Sequence, residues 1–149
     1  MLIPRVAASA LVPGGVADAE ALWYDRHRWP SWVDGFGHLA KLEGDWPRPG
    51  ARLLWESRPG GRGLVSERVT AYEPGRGQTL AVEDEKLQAT QTVFFEPAGD
   101  GVRVTLGLDY RLKRGFTPLL VRVFTRRALR ASLRRTLTRF ARERRGDLG

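Results

Sequence analysis

The sequence predicts an α+β domain: a curved antiparallel sheet of about seven strands around a long C-terminal helix, with two short helices after the first strand. Three observations carry this. Most of the chain from His38 to Leu112 alternates apolar and polar residues with period two, and short Gly- and Pro-rich turns interrupt it. In its clearest stretch, Val102, Val104, Leu106, Leu108, Tyr110 and Leu112 face one way and Arg103, Thr105, Asp109 and Arg111 the other. Such a sheet has one buried and one wet face. Thr117-Pro118 then opens a helical stretch to about Arg145, the one element large enough to cover the apolar face.

The elements follow in order. Leu2 to Val12 is short, apolar and rich in small residues, and Pro13-Gly14-Gly15 ends it. Val16 to Asp25 has helical spacing, with Val16, Ala19, Leu22 and Trp23 on one face and Asp18 and Glu20 in the first turns, where the helix dipole favours acids. Pro30, between Trp29 and Trp32, suits the first position of a second short helix. Strands are expected at His38–Glu43, Ala51–Ser57, Arg62–Tyr72, Gln78–Asp84, Lys86–Glu96 and Val102–Leu112. Their short connections make the sheet antiparallel. The closing helix, about 28 residues or roughly 42 Å, stops at Gly146. Nothing repeats and no linker divides the chain, so residues 1–149 read as one domain.

Composition sets outer bounds. The chain has no cysteine, which excludes disulfides and thiolate metal sites. No apolar stretch is long enough to span a membrane, and the N-terminal apolar run is too broken for a signal peptide, so a cytoplasmic location is expected. The formal charge is +8, and 22 of the 25 basic residues are Arg. From Arg122 to Arg145 the last helix carries ten Arg against one acid, Glu143. That helix could touch an anionic membrane, RNA or an acidic partner. The sequence argues against nucleic acid: it has no recognition motif, and no aromatics are interleaved with the Arg run.

Several strings stand in order along the chain: Val16 to Trp23 after an opening strand, Trp29-Pro30-Ser31-Trp32, Gly50-Ala51-Arg52, Ser66-Glu67-Arg68-Val69-Thr70 with Glu73-Pro74, Phe95-Glu96-Pro97 leading to Val102-Arg103-Val104, and Ser132-Leu133 to Arg139-Phe140. In that order they resemble the START-like superfamily, in particular the SRPBCC group of polyketide cyclase/dehydrase and lipid-transport proteins. The resemblance covers nearly the whole chain. It implies a helix-grip fold and a cavity for a hydrophobic small molecule, and it leaves the reaction open, because function resides in the site.

The candidate site residues come from the inward strand faces. Glu67 shares a face with Val65, Val69 and Ala71. A carboxylate facing an apolar interior must be paired, take up a proton or reach water, and it acquires the raised pKa that a general acid or base needs. Its expected partner is Arg126 or Arg130 of the last helix, which fall within about 20° of the apolar line through Leu119 and Leu137, or else Gln91. Those two arginines could equally lay their stems on the core rim and reach water. Gln91 and Tyr110 could hydrogen-bond a ligand. Trp55, Val69, Phe95, Leu108, Leu120 and Phe124 are expected to line a cavity between the sheet and the first half of the helix, with Trp23, Trp29, Trp32 and Phe36 as further aromatic candidates. Asp84 is read as part of a solvated turn. His27 and His38 lack metal-ligand spacing, and no phosphate loop or nucleophile elbow is present, so neither metal nor cofactor is expected. A carrier of a lipid, quinone or polyketide-like molecule fits best. A cyclase or dehydratase using Glu67 as acid–base comes second, and a surface-docking protein third.

Overall fold

The computed structural model describes residues 5–113 and 119–149, and the side chains of 5–113 and 124–149. Strand β1 (Arg5–Pro13) is followed by helix α1 (Val16–Tyr24), a 3₁₀ turn (Arg26–Arg28) and helix α2 (Trp29–Trp32). Six strands come next: β2 (Phe36–Glu43), β3 (Arg52–Ser57), β4 (Leu64–Glu73), β5 (Gly77–Glu83), β6 (Leu87–Ala98) and β7 (Gly101–Leu112). Helix α3 (Leu119–Gly146) ends the order. The expected helix start at Thr117-Pro118 lies outside the described residues.

All seven strands form one antiparallel sheet in the order β1-β7-β6-β5-β4-β3-β2. Strands β2 to β7 are successive hairpins, and β1 returns to pair with β7. The inner face is the apolar one that alternation predicts: Val102, Val104, Leu106, Leu108 and Tyr110 are all buried on β7. Helix α3 packs chiefly on β1 and seals the core with Leu133, Leu137, Phe140 and Ala141. Gly77 must be glycine, because a side-chain carbon there would collide with the carbonyl of Val93 on the paired strand.

Two sequence expectations are corrected here. Alternation places Ala71 inward with Val69, yet Ala71 is exposed and Tyr72 is half-buried. The register of β4 against β5 shifts between Val69 and Ala71. A bulge of this kind exchanges the two faces beyond it. Phe124 was expected at the cavity and is instead 63% exposed. Nine residues separate it from the buried Leu133, which at 100° per residue places it about 180° away, on the solvent side.

The short helix α2 is held on α3 by an ionic clasp at each end. Before it, Arg28 donates to Glu143 and to Asp147, both at 2.8 Å. After it, Asp34 accepts from Ser132 Oγ at 2.7 Å, from Arg135 at 2.9 and 3.0 Å and from Arg139 at 3.1 Å. The Asp34 backbone N–H donates to Thr136 Oγ1. Arg144, buried at the far end of α3, donates to the Pro13 carbonyl and lies beside Asp18. Part of the Arg excess of α3 is therefore structural.

Candidate functional site: an aromatic cavity with a buried carboxylate

Between the clasped α2, the inner sheet face and the middle of α3 lies a cavity of about 90 Å³; counted out to its open mouth, the space between its lining atoms is about 700 Å³. Every tryptophan of the chain lines it: Trp23 from α1, Trp29 and Trp32 from α2, Trp46 from the β2–β3 turn and Trp55 from β3. Phe36, Leu53, Leu80, Leu106 and Leu133 complete the apolar wall. The aromatics pack mostly edge to face, as in Trp29 against Trp46 with ring centres 5.4 Å apart. Such pairs are favourable for rings whose faces carry negative and edges positive charge. Their polar ends are mostly satisfied from within: Trp29 Nε1 donates to the Trp23 carbonyl at 2.8 Å and Trp46 Nε1 to the Tyr24 carbonyl at 2.9 Å.

The polar groups of the wall are few. Glu67 projects from β4 and is buried. Its Oε1 accepts from Trp55 Nε1 at 3.1 Å. The register pairs Leu53 with Glu67 and Trp55 with Val65, so Trp55 and Glu67 are diagonal neighbours on one face. Arg62, in the β3–β4 connection, donates through Nε to Asp84 Oδ2 at 2.8 Å and lies 5.7 Å over the Trp55 ring. Gln78, Gln91, Asp34, Ser132 and Thr136 also line the space. Gln78 donates to the Pro47 carbonyl at 3.0 Å.

Burial pushes the Glu67 pKa above the usual glutamate range; the Trp55 hydrogen bond and the Arg62 charge oppose the shift without cancelling it. The folded state therefore holds the Glu67 proton more tightly than the unfolded chain does. The stability this adds is full below the ordinary glutamate value of 4.5 and is lost as pH rises through the raised one. Glu67→Gln keeps an acceptor for Trp55 and carries no charge. Its melting temperature is expected to match or exceed the parent's at about pH 8, with the gap closing toward about pH 4. A variant clearly less stable than the parent at the higher pH would show that ionised Glu67 is held by a partner.

The site residues read from sequence divide as follows. Trp55, Glu67 and Gln91 line the cavity. Val69, Phe95, Leu108 and Tyr110 are buried in the adjoining core and are absent from the cavity wall. The side chain of Leu120 lies outside the described residues, and Phe124 points to solvent. Arg126 and Arg130 are exposed and do not reach Glu67, whose hydrogen-bond partner is Trp55. The cavity meets the middle of α3 through Ser132, Leu133 and Thr136, not the helix's first half. Asp84 sits at a turn, as read, but is only 6% exposed: it accepts from the N–H groups of Lys86 and Leu87 as well as from Arg62. Arg62, Gln78 and Asp34 have no sequence signal for the site, because turns and register bring them there, whereas Ser132 and Leu133 stand in one of the strings that carry the resemblance.

His27 and His38 are exposed, and no group of three or more His, Cys, Asp or Glu among the described residues could hold a metal ion. No described helix is long and apolar enough to cross a membrane. A wider hollow of about 590 Å³ beside the β3–β4 turn is lined largely by exposed turn residues and glycine backbone, and it lacks an apolar wall.

A curved antiparallel sheet gripping a C-terminal helix over an aromatic cavity defines a helix-grip protein. The chain belongs to the polyketide cyclase / dehydrase and lipid transport family, whose sequence model matches residues 4–144. No curated protein matches it in sequence. Solved structures share the fold at low identity. A protein of Thermus thermophilus is 18% identical with a TM-score of 0.80, covering 98% of this chain and 100% of its own. The di-domain ARO/CYC StfQ from the steffimycin biosynthetic pathway is 22% identical with a TM-score of 0.77, over 97% of this chain and 52% of StfQ. Norcoclaurine synthase of Thalictrum flavum, a point mutant in complex with a transition state analogue, is 14% identical with a TM-score of 0.73, over 99% of this chain and 98% of the synthase.

Proposed function

We propose that the protein binds a hydrophobic small molecule bearing an aromatic or similarly flat ring in the tryptophan-lined cavity. The observation that carries this is the convergence of all five tryptophans on one space. Ligand sites typically combine an apolar wall with a small number of placed polar groups. The volume of about 90 Å³ is smaller than the roughly 150 Å³ of an apolar cavity that takes up benzene. A ring therefore enters by parting the wall at the mouth, and the rest of a larger ligand stays in the mouth. The family's cyclases and lipid-transport proteins support such a ligand class.

A second reading follows from Glu67. A buried carboxylate with a raised pKa in the wall of a ligand cavity can hold and release a proton, as a cyclase or dehydratase requires. The StfQ likeness supports this reading at the level of fold.

Titration with N-phenyl-1-naphthylamine tests the binding reading. Tryptophan emission is expected to fall as dye emission rises, because every donor indole lies in the wall. Unchanged emission, with no apolar molecule co-purifying from the native host by mass spectrometry, would refute it.

A further inference from the structure

The arginines of α3 fall into two groups. Among the described ones, Arg135 and Arg139 meet Asp34, and Arg144 lies beside Asp18. Arg126, Arg127, Arg130, Arg134, Arg142 and Arg145 are exposed, and among the described residues they make no ion pair. Glu143, the one acid of α3, and Asp147 beyond it are both taken by Arg28. At 100° per residue, Arg127, Arg134, Arg142 and Arg145 share with Phe124 a sector about 80° wide, at least about 100° from the buried Leu133. From Arg127 to Arg145 the row is about 27 Å long. Exposed apolar residues stand at its two ends: Phe124, and Leu148 just past the helix, 57% exposed. Like charges along one face repel one another, and an anionic partner relieves that repulsion.

We propose that this face of α3 docks on an anionic lipid surface, with its arginines against the headgroups and its apolar ends at the boundary with the acyl chains. The layout of charge selects the partner. A row along one helix meets a plane of negative charge at every residue and needs no register, whereas an acidic protein would have to place carboxylates along the same span of about 27 Å. Single-stranded nucleic acid is held on aromatic platforms set among the basic groups, and here the apolar residues stand only at the ends. The opposite side of α3 is committed to the core through Leu133, Leu137 and Phe140, so the helix lies on the lipid rather than in it. Ser132, Leu133 and Thr136 line the aromatic cavity from that opposite side. Docking therefore holds the cavity about 10 Å, one helix diameter, from the lipid.

Co-sedimentation of the full chain with vesicles tests this, using phosphatidylcholine alone and phosphatidylcholine with about one third phosphatidylserine. Binding is expected to the anionic vesicles only, and it should weaken at least about tenfold between roughly 0.05 and 0.3 M salt. Arg134→Gln and Arg142→Gln should each weaken it about fivefold. Arg103→Gln removes the same charge from the outer face of the sheet and should stay within about twofold of the parent. Phe124→Ser should weaken binding about threefold and leave its salt dependence unchanged. All four positions are exposed, so the variants should fold, which circular dichroism checks. No binding to anionic vesicles, or equal binding to neutral ones, overturns the proposal. A loss in Arg103→Gln as large as in Arg134→Gln shows attraction to net charge alone and also overturns it. Binding of polyuridylate in place of vesicles assigns the face to RNA and overturns it too. The same variants should take up N-phenyl-1-naphthylamine as the parent does, so the cavity reading stands or falls separately.

Discussion

Phe140→Ala should lower the melting temperature by at least about 6 °C, the largest effect expected of any single change here. Phe140 has no exposed surface and sits edge-on to Trp23 at 5.1 Å and to Trp32 at 5.0 Å between ring centres. It is where α3 meets both short helices. Truncating a buried Phe to Ala costs roughly 3–5 kcal/mol, the lost transfer energy plus the cavity left behind. For a chain of this length each kcal/mol shifts the melting temperature by roughly 2–4 °C. Differential scanning calorimetry at neutral pH measures it. A shift under about 3 °C would mean that the two tryptophans collapse into the space, and the ligand cavity would change shape with them.

Asp34→Ala should cost about 1.5–3 kcal/mol at neutral pH. The figure lies between two limits. Exposed ion pairs contribute about 0–1 kcal/mol, and breaking a buried one costs about 3–5 kcal/mol. The Asp34 side chain is 16% exposed, while its partners Arg135 and Arg139 are 52% and 39% exposed. Burial works against ionisation of Asp34, but hydrogen bonds from Arg135 and Ser132, with the charges of Arg135 and Arg139, outweigh it and hold its pKa below the ordinary 3.8. A lowered pKa contributes stability that is present above 3.8 and is lost as pH falls through the folded value. The gap between parent and variant in urea midpoint should therefore be full at about pH 7 and shrink as pH falls below 3.8 through the lowered folded value. An equal gap at both would show that the cost is one of packing rather than charge. Because Asp34 fastens α2, the variant should also loosen Trp32 and weaken binding of cavity probes.

Much of the fold was legible because burial follows residue type along a strand. On β7 the inward residues from Val102 to Tyr110 are buried as the alternation predicts, with Gly107 the one outward residue also buried, and the turn residues between strands place the hairpins correctly. Failures occurred where one dimension is too few. A bulge after Val69 exchanged Ala71 for Tyr72, and nothing in the local pattern announces it. Reading an apolar residue as inward without its angle to the stripe misplaced Phe124, which lies opposite Leu133 on α3, and a stripe does not show which part of the helix meets the cavity, which lies at Ser132, Leu133 and Thr136. For Glu67 the inward position was readable, but its partner was not. Trp55 becomes a diagonal neighbour only once the register of β3 on β4 is fixed.

The pairing of the first strand with the last has a consequence for the order of assembly. Strands β2 to β7 can close hairpin by hairpin, each with a small loss of loop entropy. Strand β1 has no neighbour in sequence to pair with: Arg5 meets Asp109 across a separation of 104 residues. On a ribosome, β1 is expected to wait until β7 has emerged, and α1 and α2, tethered between β1 and β2, to wait with it. The tryptophans they carry reach their places only when α3 arrives to receive Arg28 and Asp34. The aromatic chamber is thus expected to be the last region to take shape, and a chain truncated before α3 is expected to possess most of the sheet with no chamber.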